Sequence, residues 1–507
     1  MADPIDLVDR SLREETQREF DRRVDEQALR LTDALRSGRL DSPGFGLGLE
    51  LEAYAIDDAG RLARVPDDVF EAGCERELGM HNVELNTTAT AFDEAGIDAQ
   101  ASQLRQQYRD VQNAADDAGL EIVLDAMWTC PPPEGTHSYL TATTEREDVT
   151  IAENMTPSPR YYAIDNDILG ETTGAITLSV TGVDCEFPSL LFESLTSSIQ
   201  PHVQIPDVAS FPRYYNLALR TLGPVLALAT NSPLLPPDLY AFDDDDEPKR
   251  LLEETYHELR IPVFEMSINH AWEKVRMPRD LTDATDTVDR LVADPTCAPF
   301  LREWVRDGDR ETFGDRFWEL DHKRGTYWRW LRTVIGGQPV GTGDCWSMRL
   351  EYRPLPTQPT IDEIVGFQCL ISGLLCGLVA ADHPLATLER DAAERSFYAA
   401  VEDGLEADLA WIDADGERTT DRNVIYDELF SFARRGLREQ DVSTSTIDDY
   451  LSPLETRWRD RTTPSRWKLE RIREHLEDGK QFTDAVEEMH DEYVRRSRSG
   501  EPISRWT

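Results

Sequence analysis

Four short stretches of the chain alternate apolar and polar residues in the two-residue period of a strand. In GFGLGLELEAYAI, Leu47, Leu49 and Leu51 fall on one side, and Glu50, Glu52 and Tyr54 on the other. HNVELNT sets Val83 and Leu85 against Glu84 and Asn86, and PHVQIP sets Val203 and Ile205 against His202 and Gln204. SMRLEYR sets Met348, Leu350 and Tyr352 against Arg349, Glu351 and Arg353. Side chains two apart in a strand share a face, roughly 6.5–7 Å apart. Further strands are predicted at Glu121 to Trp128 and over 174–187. Helical spacing runs over 5–37, ended by Ser37-Gly38, over 98–118, ended by Gly119, and from about Pro212 to Thr230.

Strands and helices are mixed without strict βαβ alternation. That predicts an α+β fold with a mostly antiparallel sheet and helices on one face. Residues 234–248, LLPPDLYAFDDDDEP, read as a turn-rich acidic loop that lacks the spacing and glycine of a calcium-binding EF-hand. From about 386 onward the chain reads as helices joined by short loops, clearest over 423–436 and 466–498. The expected organisation is an N-terminal helix (1–40), a catalytic α+β domain (41–390) and a helical region (391–507) packed on it. Ile364 to Ala381 is about the minimum length for a membrane span. It contains Gln368, Ser372 and three glycines, and a Thr360/Glu363 capping box precedes it, so a buried helix is expected and no membrane partner.

With 40% hydrophobic residues among 507, the chain is able to bury a large core. The net charge of −45, from 53 basic and 98 acidic residues, argues against a nucleic-acid partner. Lysine is confined to Lys249, Lys274, Lys323, Lys468 and Lys480, and the acid is spread along the whole chain. A self-repelling surface of this kind is tolerable where salt screens it, which points to a high-salt cytoplasm; an ordinary acidic protein is the alternative. Seven cysteines without a CxxC pair, and an N-terminus without a signal-peptide pattern, fit free thiols in a reducing cytosol.

If the four alternating strands pair, one sheet face carries Glu50, Glu52, Glu84, Glu351, His202, Arg349 and Arg353. Such a face repels itself unless cations sit on it, so it reads as a site for Mg²⁺ and phosphate. Glu50 and Glu52 are spaced to hold two different ions with phosphate between, and Arg349 and Arg353 to take phosphate oxygens. Taken singly, each feature has a plainer reading: a solvated outer face, a structural histidine, a cross-strand ion pair. The chain has no P-loop, no HExxH, no GxSxG and no Rossmann glycine fingerprint after a strand.

The ordered set of motifs resembles the glutamate–cysteine ligase type 2 family, carboxylate–amine ligases with a glutamine-synthetase-like catalytic fold. GLELEAYAID resembles the family's early G-x-E-x-E strand, and HNVELNT its next acidic strand. PHVQIPD resembles its H-V-H-V-G-x-x-D segment, and Ala227 to Pro233 its A-x-x-A-N-S-P motif. TYWRWLR followed by MRLEYRPLPTQPT resembles its W-x-x-R and E-x-R segments, with the order kept over roughly 44–490.

The resemblance implies that ATP phosphorylates a side-chain carboxylate of glutamate and that an amine, typically that of cysteine, attacks the acyl phosphate. It implies ATP and Mg²⁺ as cofactors and Glu50, Glu52, Glu84, His202 and Glu351 as metal ligands. Arg353, beside Arg349, would stabilise charge on the transferring phosphoryl group. It leaves open another acid or amine, a non-catalytic binder of nucleotide or partner, and a homo-oligomer. Three departures bear on the substrate pocket: Gln204 replaces the second histidine of H-V-H, LLPPDLYAFDDDD replaces a glycine-rich stretch after N-S-P, and Leu355-Pro356 stands where an aspartate usually follows E-x-R.

Overall fold

A computed structural model describes residues 3–506, apart from 245, 307–311, 338–339 and 341–345. Asp245 of the acidic loop and Cys345 lie outside the described residues.

The alternating stretches form β1 (Gly46–Asp57), β2 (Asn82–Asn86), β3 (Ile199–Ile205) and β5 (Ser347–Tyr352), with β4 (Leu331–Gly336) at one edge. The order across the sheet is β4, β5, β3, β1, β2 and then Glu75–Arg76, every pair antiparallel; Thr90–Ala91 and Leu120–Val123 also pair with β1. The register fixes the faces. Glu52 lies opposite Glu84, Glu50 opposite both Asn86 and Gln200, His202 opposite Glu351, and Gln204 opposite Arg349.

The other face is the core. Leu47, Leu49, Leu51, Val83, Leu85, Val203, Ile205, Met348 and Leu350 are all buried. The Ile361–Ala380 helix packs here: Gln368 Nε2 donates to the Gly48 carbonyl at 3.0 Å. It is the one helix among the described residues long and apolar enough to cross a membrane, and it is buried within the protein. Its three glycines have a packing reason. A Cβ on Gly377 would come 1.9 Å from the Phe432 carbonyl oxygen, one on Gly373 2.5 Å from that of Ala433, and one on Gly366 2.9 Å from that of Tyr450. The helices Arg422–Glu439 and Thr444–Asp460 therefore lie directly on its backbone. Thr360 caps it: its Oγ1 accepts from the Glu363 N–H at 3.2 Å and donates to Glu363 Oε2 at 3.1 Å. The other oxygen of that carboxylate, whose side chain is 1% exposed, receives Arg457 Nη2 at 2.7 Å.

Several sequence expectations shift in detail. The helix expected over 5–37 is two, Pro4–Ser11 and Glu14–Arg36. The helix over 466–498 is also two, Pro464–Glu477 and Phe482–Ser499, broken at Gly479, whose φ of +87° favours glycine. Residues 174–187 form a hairpin of Ile176–Val180 and Val183–Phe187 turning at Gly182. The acidic loop is partly ordered by the helix Glu247–Glu254.

The C-terminal helices are pinned to the sheet domain by charges without solvent. Lys468, 2% exposed, donates to Asp125 Oδ1 at 2.5 Å and to the Asn231 carbonyl at 2.8 Å. Tyr493 donates to the Leu124 carbonyl at 3.0 Å, and the Tyr54 hydroxyl lies 3.1 Å from His490 Nε2.

Candidate active site

Among the described residues the charged sheet face holds two separate groups of potential ligands. Glu50, His202 and Glu351 form one, and Glu52, Glu77 and Glu84 the other; within each, one donor atom per residue lies within 4.8 Å of the others. Alternation along β1 separates them. Glu50 and Glu52 share a face but are two residues apart, so each carboxylate joins a different group. Five of these positions are the ligands expected from sequence; Glu77 is not. It sits in the connection after Glu75–Arg76, where no alternation marks it.

The donors fit divalent cations. His202 is buried and its Nδ1 has no hydrogen-bond partner among the described residues. Its Nε2 lies 3.0 Å from Glu50 Oε1. In the second group, burial first and then the neighbouring Glu50 and Glu52 push Glu84 up to about 8. Burial, then Glu84 and Glu52, drive Glu77 well above the carboxylate range. Burial also raises Glu52, against the pull of Arg260 and the Ser198 N–H. Three crowded carboxylates of this kind suit a hard cation with oxygen ligands, such as Mg²⁺.

The first group is compensated differently. Burial would raise Glu351, but Arg332, Arg353 and His202 outweigh it and hold it well below its usual range. Arg332 grips Glu351 bidentately, Nε at 2.8 Å and Nη2 at 2.7 Å. Arg353 pairs with Glu351 and donates to Gln200 Oε1 at 2.5 Å. Gln200 in turn donates to Glu52 at 3.0 Å, so one chain of hydrogen bonds links the groups. Arg353 is buried in this network, whereas Arg349, opposite Gln204, lines a cavity of about 170 Å³ with Gly46, Gly48, Glu50, Asn86 and His202. Gly46 lets Val340 approach the strand at that cavity: a Cβ there would meet Val340 Cγ2 at 2.7 Å. Gln204 is not a free ligand. Its Nε2 donates to the Gly44 carbonyl at 2.9 Å and its Oε1 accepts from the Val340 N–H at 3.1 Å, tying two backbone segments at the cavity mouth.

With this geometry in hand, the model of the glutamate–cysteine ligase family 2 matches residues 46–498. The chain belongs to that family. A relative from Rhodococcus jostii (strain RHA1), named "Putative glutamate–cysteine ligase 2-1", is 30% identical over 206 residues, 39% of this chain and 44% of the relative. The match thus spans less than half of that relative's length. Among solved structures, a glutamate–cysteine ligase from Francisella tularensis in complex with AMP superposes with a TM-score of 0.54 over 91% of this chain and 90% of its own, at 14% identity. At that identity the likeness concerns the fold, and it agrees with the antiparallel sheet and helical C-terminal part of the family 2 chain described above.

Proposed function

We propose that the protein is an ATP-dependent carboxylate–amine ligase joining the γ-carboxylate of glutamate to an amine, with cysteine as the leading acceptor. The observation that carries this reading is the pair of ligand groups built from adjacent same-face glutamates of one strand, bordered by Arg332, Arg349 and Arg353. Divalent cations held by the two groups would neutralise ATP phosphates and polarise the transferring phosphoryl group. The chain's own part is positional. Arg332 and the Gln200–Arg353 link fix Glu351 and Glu52 in orientation, and Arg349 presents its guanidinium at the cavity beside Glu50. The γ-phosphoryl group of ATP passes to a γ-carboxylate oxygen and ADP leaves. The amine nitrogen then attacks the acyl carbon, and phosphate leaves with an oxygen of the former carboxylate. No protein nucleophile enters this sequence. Burial pushes the Cys130, Cys369 and Cys376 thiols well above their ordinary range, which supports that reading for these three.

The test is ADP release by purified protein with ATP, Mg²⁺, glutamate and each amino acid in turn, at molar KCl. The expected result is ADP, phosphate and a γ-glutamyl amide in equal amounts, fastest with cysteine. No ADP release with any amine would leave a nucleotide- or partner-binding protein instead.

High salt belongs to the same proposal. A net charge of −45 repels at low ionic strength and is screened within about 3 Å at 1 M salt. The melting temperature followed by circular dichroism is expected to rise from 0.1 M to 3 M KCl. Equal values would contradict a high-salt origin.

A further inference from the structure

Arginines are concentrated in one part of an otherwise acidic chain. Residues 422–473 hold 11 basic and 9 acidic residues, a net of +2, in a protein of net charge −45. They include the helices Arg422–Glu439 and Thr444–Asp460, and between these lies a cavity of about 630 Å³. Arg434, Arg438, Arg459 and Arg461 line it, with Trp458 and Phe430 as its apolar part. Both helices pack on Ile361–Ala380, which covers the core face of the sheet, so the sheet stands between this cavity and the carboxylates.

Arg461 is the fixed member. It follows the helix Thr444–Asp460 with a φ of +54°, a left-handed position that favours glycine. Its guanidinium carbon sits 3.4 Å from the centre of the Trp458 ring, and Trp458 stacks on Tyr426 at 4.0 Å. The stack holds the guanidinium flat and in place. Its Nη1 is buried and has no hydrogen-bond partner among the described residues, which is unfavourable unless a ligand completes it. The charged groups around it are Glu406, Arg422 and Arg466. Glu406 already pairs with Arg422 at 2.8 Å and lies 4.0 Å from Arg466, so one carboxylate serves three arginines.

The acidic side chains of the cavity do not balance it. Glu455 accepts from Arg434 Nε at 2.6 Å and Nη2 at 3.1 Å, and Arg434 Nη1 donates to Asp448 at 2.5 Å, so that arginine is satisfied within the protein. Arg438 and Arg459 are exposed and make no ion pair among the described residues. Three guanidiniums therefore share the cavity with one carboxylate, Asp427, that is unpaired among the described residues.

We propose that this cavity binds a phosphate group, with Arg461 as the preformed anchor and Arg438 and Arg459 flanking it from the two helices. A phosphate oxyanion accepts paired N–H donors from more than one guanidinium, which chloride, a single-atom acceptor, does not match. That difference matters in molar KCl, where exposed charges are screened within about 3 Å and only close contacts persist. Free phosphate and a nucleotide carry the same group, and the volume admits either. The site does not depend on the ligase reading, because it shares no residue with the ligand groups of the sheet face.

The experiment titrates the full chain with inorganic phosphate, with ADP and with succinate by calorimetry, in molar KCl with EDTA. Without divalent cations the carboxylates of the sheet face repel a phosphate, which suppresses binding there. Wild type should bind phosphate, and succinate at least about tenfold more weakly. The double variant Arg438→Gln, Arg459→Gln should weaken phosphate binding by about tenfold or more, as should Arg461→Gly. Two controls should stay within about twofold of wild type. Arg435→Gln removes a charge from the same helix outside the cavity, and Arg349→Gln strips the sheet-face cavity of its guanidinium. ADP binding more tightly than phosphate identifies a nucleotide as the source of the group, and ADP binding no more tightly identifies free phosphate. No phosphate binding, succinate bound as tightly, or a loss in either control equal to that in the double variant would overturn the proposal. Near-UV circular dichroism screens the variants, and the double variant, at two exposed positions, carries the test if Arg461→Gly does not fold.

Discussion

Glu52→Gln is expected to lower Mg²⁺-dependent turnover by about 10²–10³-fold or more while leaving the fold intact. Glu52 belongs to the group with Glu77 and Glu84, where among the described residues no arginine hydrogen bond offsets the charge, as Arg332 and Arg353 do for Glu351. Glutamine keeps the size and one acceptor for the Ser198 N–H, so the sheet loses a ligand rather than packing. One fewer carboxylate also relieves the crowding that pushes Glu84 up to about 8. Without Mg²⁺ the variant's melting temperature should therefore match or exceed that of the wild type, and with Mg²⁺ it should gain less. Steady-state kinetics and melting curves with and without the cation check both halves. Turnover near the wild-type rate would remove Glu52 from the site.

Lys468→Met is expected to cost about 3–5 kcal/mol of stability, because it strands a carboxylate inside the protein. Asp125 is 1% exposed, and among the described residues its only cationic hydrogen-bond donor is Lys468. Burial drives Asp125 toward its neutral form and Lys468 likewise, and the contact between them opposes both shifts. Removing one partner costs far more than removing both. The double variant Asp125→Asn, Lys468→Met should recover a large part of the loss in urea unfolding. A single variant as stable as the wild type would mean that this contact does not fasten the Pro464–Glu477 helix to the sheet domain.

What was legible in the sequence follows from the period of the strands. Leu47, Leu49 and Leu51 alternate with Glu50 and Glu52 because one face is core and the other is not. The same rule placed Glu84, His202 and Glu351 on a common face before any pairing was known. The register needed to set Glu52 opposite Glu84 comes from packing. Residues that reach the face from outside that alternation were invisible. Glu77 stands in a connection and Arg260 at a helix start. Arg332 lies in a strand buried along its whole length, where alternation carries no signal. The break at Gly479 was missed for a similar reason: the helical period continues across it, and only the positive φ shows the turn.

The central claim is that a glutamate γ-carboxylate is activated by phosphorylation and then captured by an amine. Glutamate labelled with ¹⁸O in that carboxylate, incubated with the protein, ATP, Mg²⁺ and cysteine, puts the claim to mass spectrometry of the released phosphate. The account predicts one ¹⁸O in each phosphate formed with the amide, and ADP as the nucleotide product. Unlabelled phosphate alongside genuine amide, or AMP in place of ADP, would contradict it.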